Sequence, residues 1–255
     1  MWSHGAHGAS LRHRLRRHRH QGRARRPGYR HLRRAEGEDR HPRPANPETV
    51  SAVFRQLVSG FPSSTAAVGV TVPGVVKHGV VWSAANIDSS WIGTDADEVF
   101  TEALQREVHV VNDADAAGLA EVEYGAAKGR RGLVIVTTLG TGIGSALVHD
   151  GVLVPNSELG HLEIAGKVAE RHAANSVRER EELSWADWAQ RLTTYYRTLE
   201  RLFSPELIVV GGGVSKSAEH FLPLIEIETE IVPAALRNKA GIIGAALVAS
   251  RAGRP

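Results

Sequence analysis

From residue 46 onward, apolar positions recur with regular periods. In "NPETVSAVFRQLVSG", Val50, Val53, Phe54 and Leu57 repeat at helical spacing behind Asn46 or Thr49 as caps, and Gly60 closes the helix. "AAVGVTVPGVV" predicts a buried strand ending at a Pro73-Gly74 turn, and "VVKHGVVW" a hairpin around Lys77-His78-Gly79. "ADEVFTEALQRE" predicts a short helix, and "VHVVND" a strand whose polar end is Asn112-Asp113. "ADAAGLAEVEYGAAKG" predicts a helix rich in small residues that packs closely on a neighbour.

"GLVIVTTLGTGIGSALVHDGVLV" reads as strand, glycine turn, strand, turn, strand. In "SWADWAQRLTTYYRTLERLF", Ser184 caps a helix with Asp187 three residues on, and Trp185, Trp188, Leu192, Tyr195, Leu199 and Leu202 form an apolar stripe. Those aromatic positions read as core rather than as a cofactor box. "PELIVVGGGVS" is a buried strand running into three glycines, and "AGIIGAALVAS" is a closing helix with small residues on one face. Strands alternating with helices and long crossovers predict an α/β architecture.

Residues 1–43 break this pattern. They have no hydrophobic period and too few apolar residues to offset the entropy of ordering, so the composition predicts disorder there. They hold 13 arginines and three acids, a net of +10, whereas the rest of the chain has 18 basic and 25 acidic residues, a net of −7. The basic pI therefore belongs to one segment and gives no argument for nucleic-acid binding by the body of the protein. The absence of cysteine excludes disulfides and thiolate metal sites. No apolar run has the length of a membrane helix and no secretory h-region is present, so a cytoplasmic enzyme is the expectation.

Three places carry candidate chemistry. "TTLGTGIGSAL" sets Gly140, Thr141, Gly142 and Gly144 between two strands. This is either a tight hairpin that needs positive φ or a cradle whose backbone N–H groups and threonine hydroxyl face a phosphate. "VNDADAAG" delivers Asn112 and Asp113 at the C-terminal end of a buried strand, where α/β enzymes place reacting groups. Asp113 is then either a base for a hydroxyl proton or a helix cap. "PNSELGHLE" puts Glu158, Gly160 and His161 on a turn. The two side chains can grip neighbouring hydroxyls, although His161 also fits a surface histidine, and a zinc site lacks the ligand cluster it needs.

In this order, "VTVPGVV", "VNDADAAG", "LGTGIGSAL", "ELGHLE" and "VVGGGVS" resemble the ROK family of sugar kinases. "HGVVWSAANIDSSWIGT", "IVPAALRNKAGIIGAA" and the cysteine-free stretch after His161 are similar to its polyphosphate glucokinase branch. The resemblance covers roughly residues 42 to 250 and implies an actin-like, ribonuclease H-like fold of two α/β lobes around a cleft. The corresponding division is a basic segment 1–43, an incomplete N-terminal lobe 44–111 completed by a helix at 240–252, and a C-terminal lobe 112–239.

The activity implied is phosphorylation of glucose at its 6-hydroxyl by inorganic polyphosphate or ATP, with Mg²⁺ on the donor phosphates and no structural zinc. By the same resemblance Asp113 is the general base, and Asn112, Glu158, His161 and Glu170 hold the sugar. Gly140, Thr141, Gly142 and Gly144 line the phosphate channel, and Gly211, Gly212 and Gly213 lie near a nucleotide base. A homodimer is implied, with neither nucleic acid nor membrane as partner. The alternatives are an ATP-only hexose kinase and, in another class, a non-catalytic sugar-responsive regulator. Residues 1–43 lack the apolar spacing of the helix-turn-helix that such regulators carry.

The family's opening Asp-x-Gly-Gly-Thr-x-x-Lys-like phosphate loop is absent from the sequence. Back-translating Arg16–Arg23 and reading one base later can give Gly-Gly-Thr-Gly-Ile-Lys-Gly-Ala, and Arg12–Leu15 can give Gly-Ile-Asp-x. Our hypothesis is that residues from about 10 to 42 are a frame-shifted reading of that loop. Loss of such preorganised donors costs several kcal/mol of transition-state stabilisation, so the chain as written is expected to be poorly folded or nearly inactive. Sequencing the 5′ end of the gene tests this: a well-supported, uninterrupted frame refutes it.

Overall fold

The computed structural model describes residues 45–60, 66–84 and 87–252. The basic segment and the frame-shift hypothesis placed on it lie outside the described residues.

Helix α1 (Pro47–Ser59) begins where the sequence predicts. Of the two candidate caps Asn46 takes the role, its Oδ1 accepting from Thr49 N–H at 2.9 Å, a contact worth about 1 kcal/mol. Strand β1 (Val68–Val72) runs to the Pro73-Gly74 turn, followed by the hairpin β2 (Val76–Lys77) and β3 (Val80–Val81). His78 and Gly79 both take positive φ, 51° and 79°, as a two-residue hairpin turn of right-handed strand twist demands. Helix α2 (Ala96–Leu104), capped by Asp95, lays Phe100 against Phe54 of α1 and Trp91, with ring centroids 4.9 and 5.6 Å apart. Strand β4 (Val108–Asn112) pairs in parallel with β1, Val72 opposite Asn112.

Helix α3 (Asp113–Tyr124) follows β4 without a loop. Next come β5 (Leu133–Leu139), β6 (Ile143–His149) and β7 (Val152–Val154), joined antiparallel. Strand β10 (Leu207–Gly211) pairs in parallel with β5, and β11 (Ile231–Pro233) with β10, giving the order β11-β10-β5-β6-β7. Between β7 and β10 lie the hairpin β8 (Glu163–Ile164) and β9 (Lys167–Val168), then helices α4 (Ala169–Ala173), α5 (Asn175–Arg180) and α6 (Trp185–Phe203). The two small strands, α4, α5 and β11 had no expectation in the sequence, being too short to show a period.

The apolar stripe of α6 holds with one correction. Trp188, Leu192, Tyr195 and Leu199 are fully buried and Ser184 caps as predicted, but Leu202 is 60% exposed. A seam spaced by three and four residues averages 3.5 per turn and drifts around a 3.6-residue helix. By its last turn the drift has carried Leu202 out of the core and Phe203 toward it.

The small-residue helices resolve into one packing. Helix α7 (Ala240–Ala252) crosses α3 and covers β1. A Cβ on Gly244 would collide with the carbonyl of Ala116 in α3, and one on Gly69 of β1 with the backbone of Ala245. Backbone meets backbone, which only glycine permits at these two positions. Glu121, fully buried, fixes the other end of α3: its carboxylate accepts from the N–H groups of Ala126, Ala235 and Leu236 at 2.8 to 3.1 Å. Among the described residues no helix is long and apolar enough to cross a membrane.

Candidate active site

The parallel register that sets Val72 beside Asn112 brings the Pro73-Gly74 turn and the start of α3 to the same edge. Asn112, 7% exposed, caps α3: its Oδ1 accepts from Ala114 N–H at 2.9 Å and Asp115 N–H at 3.0 Å. Its Nδ2 donates to Gly74 O at 3.0 Å. The cap role open to Asp113 is thus filled by its neighbour. Asp113 keeps one contact, from Ala114 N–H at 2.8 Å, and its carboxylate faces a cavity of about 560 Å³. The residue is exposed to cleft solvent, and the protein atoms crowded around its carboxylate still raise its pKa above the usual aspartate range.

The opposite wall is a single 3-10 turn, Leu159–His161, seated on the start of β6. Gly160 makes the seat possible, since a Cβ there would strike the carbonyl of Ile143. Ser145 of β6 locks it further, its Oγ donating to Ser157 O at 2.6 Å and accepting from Leu159 N–H at 2.9 Å. Glu158 and His161 both line the cavity. His161 lies between two carboxylates, Nε2 3.5 Å from Glu170 and Nδ1 3.9 Å from Glu158. Burial raises the pKa of Glu158, against the pull of His161.

The glycine turn forms the cavity floor, with Gly140, Thr141, Gly142 and Gly144 all lining it. The positive-φ reading of this turn is corrected: none of its three glycines takes a positive φ. At two of the three, proximity limits side chains, whereas a Cβ on Gly140 would meet open space. A Cβ on Gly142 would meet the Glu170 carboxylate, and one on Gly144 would meet Thr138 Oγ1 and the Ala114 methyl. Part of the turn's polarity is already committed, since Gly140 N–H donates to Gly142 O at 3.0 Å. Ser176 holds it from behind, donating from N to Gly140 O at 3.0 Å and from Oγ to Thr141 O at 2.6 Å.

The predicted residues therefore converge, with two outside. Gly212, at φ 84°, lines the cavity beside Leu139, whereas Gly211 and Gly213 do not reach it. Sequence reasoning missed Ser83, Thr138, Ser145 and Ser157, which also line it. It also missed Asp115, 1% exposed, whose pKa burial pushes up to about 6. An inward-facing serine in the apolar strand β6 was the one available signal. Among the described residues no group of three or more His, Asp and Glu side chains could hold a metal ion.

The ROK family model matches residues 31–176. The chain belongs to the ROK family. A polyphosphate glucokinase of Mycobacterium tuberculosis (strain CDC 1551 / Oshkosh) is 50% identical to this ROK chain over 207 residues, 81% of this chain and 78% of the relative. A glucokinase of Streptomyces coelicolor is 26% identical over 282 residues, covering 80% of this chain and 87% of the relative. Among solved structures, an inorganic polyphosphate/ATP-glucomannokinase from Arthrobacter sp. strain KM superposes with a TM-score of 0.80 at 52% identity, over 83% of this chain and 86% of that one. The actin-like sugar kinase fold implied by the sequence motifs agrees with these neighbours.

Proposed function

We propose that this ROK protein phosphorylates glucose at its 6-hydroxyl, with inorganic polyphosphate or ATP as phosphoryl donor. The observation that carries the proposal is the release of Asp113 from capping. Asn112 satisfies the helix N-terminus, and the Asp113 carboxylate is left in one cavity with Glu158, His161, Glu170 and the glycine turn. Relatives at about half identity named for polyphosphate glucokinase and polyphosphate/ATP-glucomannokinase activity support the same reading.

Glu158, His161 and Glu170 supply acceptors and an imidazole that grip sugar hydroxyls and aim one at Asp113. Asn112 lines the facing wall, with its amide committed mainly to backbone. Asp113 takes the hydroxyl proton as the sugar oxygen bonds to phosphorus and the bond to the departing phosphate breaks. Its raised pKa brings it toward the range in which a general base is most effective at neutral pH. The Gly140–Gly144 turn faces the transferring phosphoryl group, with Thr141 as hydroxyl donor and Gly212 at the rim toward the nucleotide; Gly211 and Gly213 act by shaping that rim.

Magnesium would enter as an ion carried on the donor's phosphates, which the Gly140–Gly144 turn would hold, since it commonly keeps phosphate and water ligands rather than a protein cage and no metal-holding cluster occurs among the described residues. It would neutralise phosphate charge. The division into lobes 44–111 with 240–252 and 112–239, a homodimeric assembly and a cytoplasmic location belong to the same proposal.

Formation of glucose 6-phosphate, assayed with polyphosphate and with ATP on a chain whose first phosphate loop is restored, tests it. Asp113→Asn should lower kcat by about 10²- to 10⁴-fold, with glucose still bound. Turnover equal to that of the parent would remove the assignment.

A further inference from the structure

Two walls of the cleft come from segments far apart in the sequence, and one side chain joins them. Pro73, Gly74 and Ser83 form the first wall, around the β2–β3 hairpin, and Ser157 and Glu158 the second. Asn156 stands directly before Ser157. Its Oδ1 accepts from Val76 N–H at 2.8 Å and its Nδ2 donates to Val76 O at 2.8 Å, a two-point pairing that imitates a neighbouring strand. To do so it adopts φ 60°, a left-handed conformation that asparagine tolerates better than most residues.

The backbone of Asn156 is held in turn. Its N–H donates at 2.7 Å to Oδ2 of Asp115, in the first turn of α3 two residues beyond Asp113. The other oxygen of Asp115 is buried with no hydrogen-bond partner. A carboxylate left half-satisfied in the interior opposes folding, and nothing in the core requires one here. Asp115, Asn156 and Val76 thus connect the helix that carries Asp113 to both walls.

We infer that Asp115 and Asn156 are positioning residues: a clasp that holds the hairpin wall and Glu158 at a fixed spacing about Asp113, so that glucose meets both walls at once. The inference rests on the proposed function, since it assigns the clasp to the sugar half of that site. Asp115 and Asn156 act through Glu158 and the 73–83 segment rather than on the sugar.

Calorimetric titration with glucose of the full chain, its first phosphate loop restored as in the turnover assay, tests it, because sugar binding requires neither donor nor turnover. Asn156→Gly deletes the side chain yet keeps the left-handed backbone accessible. It should weaken glucose binding about tenfold or more, with an unchanged number of sites per chain. Asp115→Ala should do the same. Asp115→Asn retains an oxygen that accepts the Asn156 N–H and should stay within about threefold of the parent.

A merely structural role gives a different result: the number of competent sites falls and the affinity of the survivors stays the same. That outcome, or an unchanged dissociation constant in Asn156→Gly, overturns the clasp and leaves the proposed function standing. Failure of Asp115→Asn to recover affinity overturns the clasp as well. Absence of glucose binding by the parent removes the proposed function, and the clasp with it.

Discussion

Residues 45–111 and 112–239 both bring a parallel strand pair to the cleft, but they support it differently. In the first region the described parallel sheet has two strands, β1 and β4, covered by α1 and α2 on a core with two fully buried aromatic side chains, Trp91 and Phe100. In the second, five strands carry α3 on one face and α6 on the other, with Trp188, Tyr195, Tyr196 and Phe221 fully buried. The first region draws its remaining support from elsewhere. Helix α7 packs on β1 from the far end of the chain, and Asn112 and Asn156 hold the hairpin wall from beyond residue 111. Packing is thus allotted unevenly: the well-packed region carries the proposed base, and the other carries a cleft wall that is held from outside.

The strongest way to break this comparison is to damage each core in turn. Trp188→Ala and Phe100→Ala each remove a fully buried ring and should each cost about 3–5 kcal/mol. Their consequences should differ. Hydrogen exchange in Phe100→Ala should strip protection from β1 and β4 while β5 and β10 keep theirs, a sub-global opening of the weaker region. Trp188→Ala should expose all four strands together. Equal loss of protection across the four in Phe100→Ala would mean that one cooperative core spans both regions, and the asymmetry would be gone.

How far each region could be read in advance follows from the range of its interactions. The longer elements were legible because their periods are written locally, and so was the Asn112-Asp113 pair, because polar residues ending an apolar strand stand out against it. The division of labour within that pair was not legible. Either side chain could cap α3, and what frees Asp113 is the Asn112 amide reaching Gly74, 38 residues earlier. The glycine turn was located correctly, and of its two readings the positive-φ one fails: the groups that crowd a Cβ at Gly142 and Gly144, namely Glu170, Thr138 and Ala114, are set by the tertiary fold. Asn156 reads in "VPNSEL" as one more turn residue. Its partner Val76 lies 80 positions away, and no local pattern announces it.

A smaller effect sharpens the comparison at the joint between the regions, where Asp115 sits. Its folded pKa is raised to about 6 from 3.8, mainly by burial, with Glu158 and Asp113 adding like-charge repulsion against the single hydrogen bond from Asn156. The native state therefore holds this proton at pH values where the unfolded chain has released it. Below pH 3.8 both states are protonated and the group costs nothing. As pH rises through 4 to 6 stability falls, and above pH 6 the full penalty stands, on the order of 3 kcal/mol at 1.36 kcal/mol per pK unit. Asp115→Asn should accordingly raise the unfolding free energy at pH 7 by up to about that amount and leave it nearly unchanged about one pH unit below 3.8, as read from urea unfolding at the two pH values. A gain of equal size at both would assign the effect to packing rather than to charge. The same burial that penalises an ionised Asp115 raises the pKa of Asp113, two residues earlier on α3, so the stability forgone at neutral pH and the proton affinity of the proposed base share one cause.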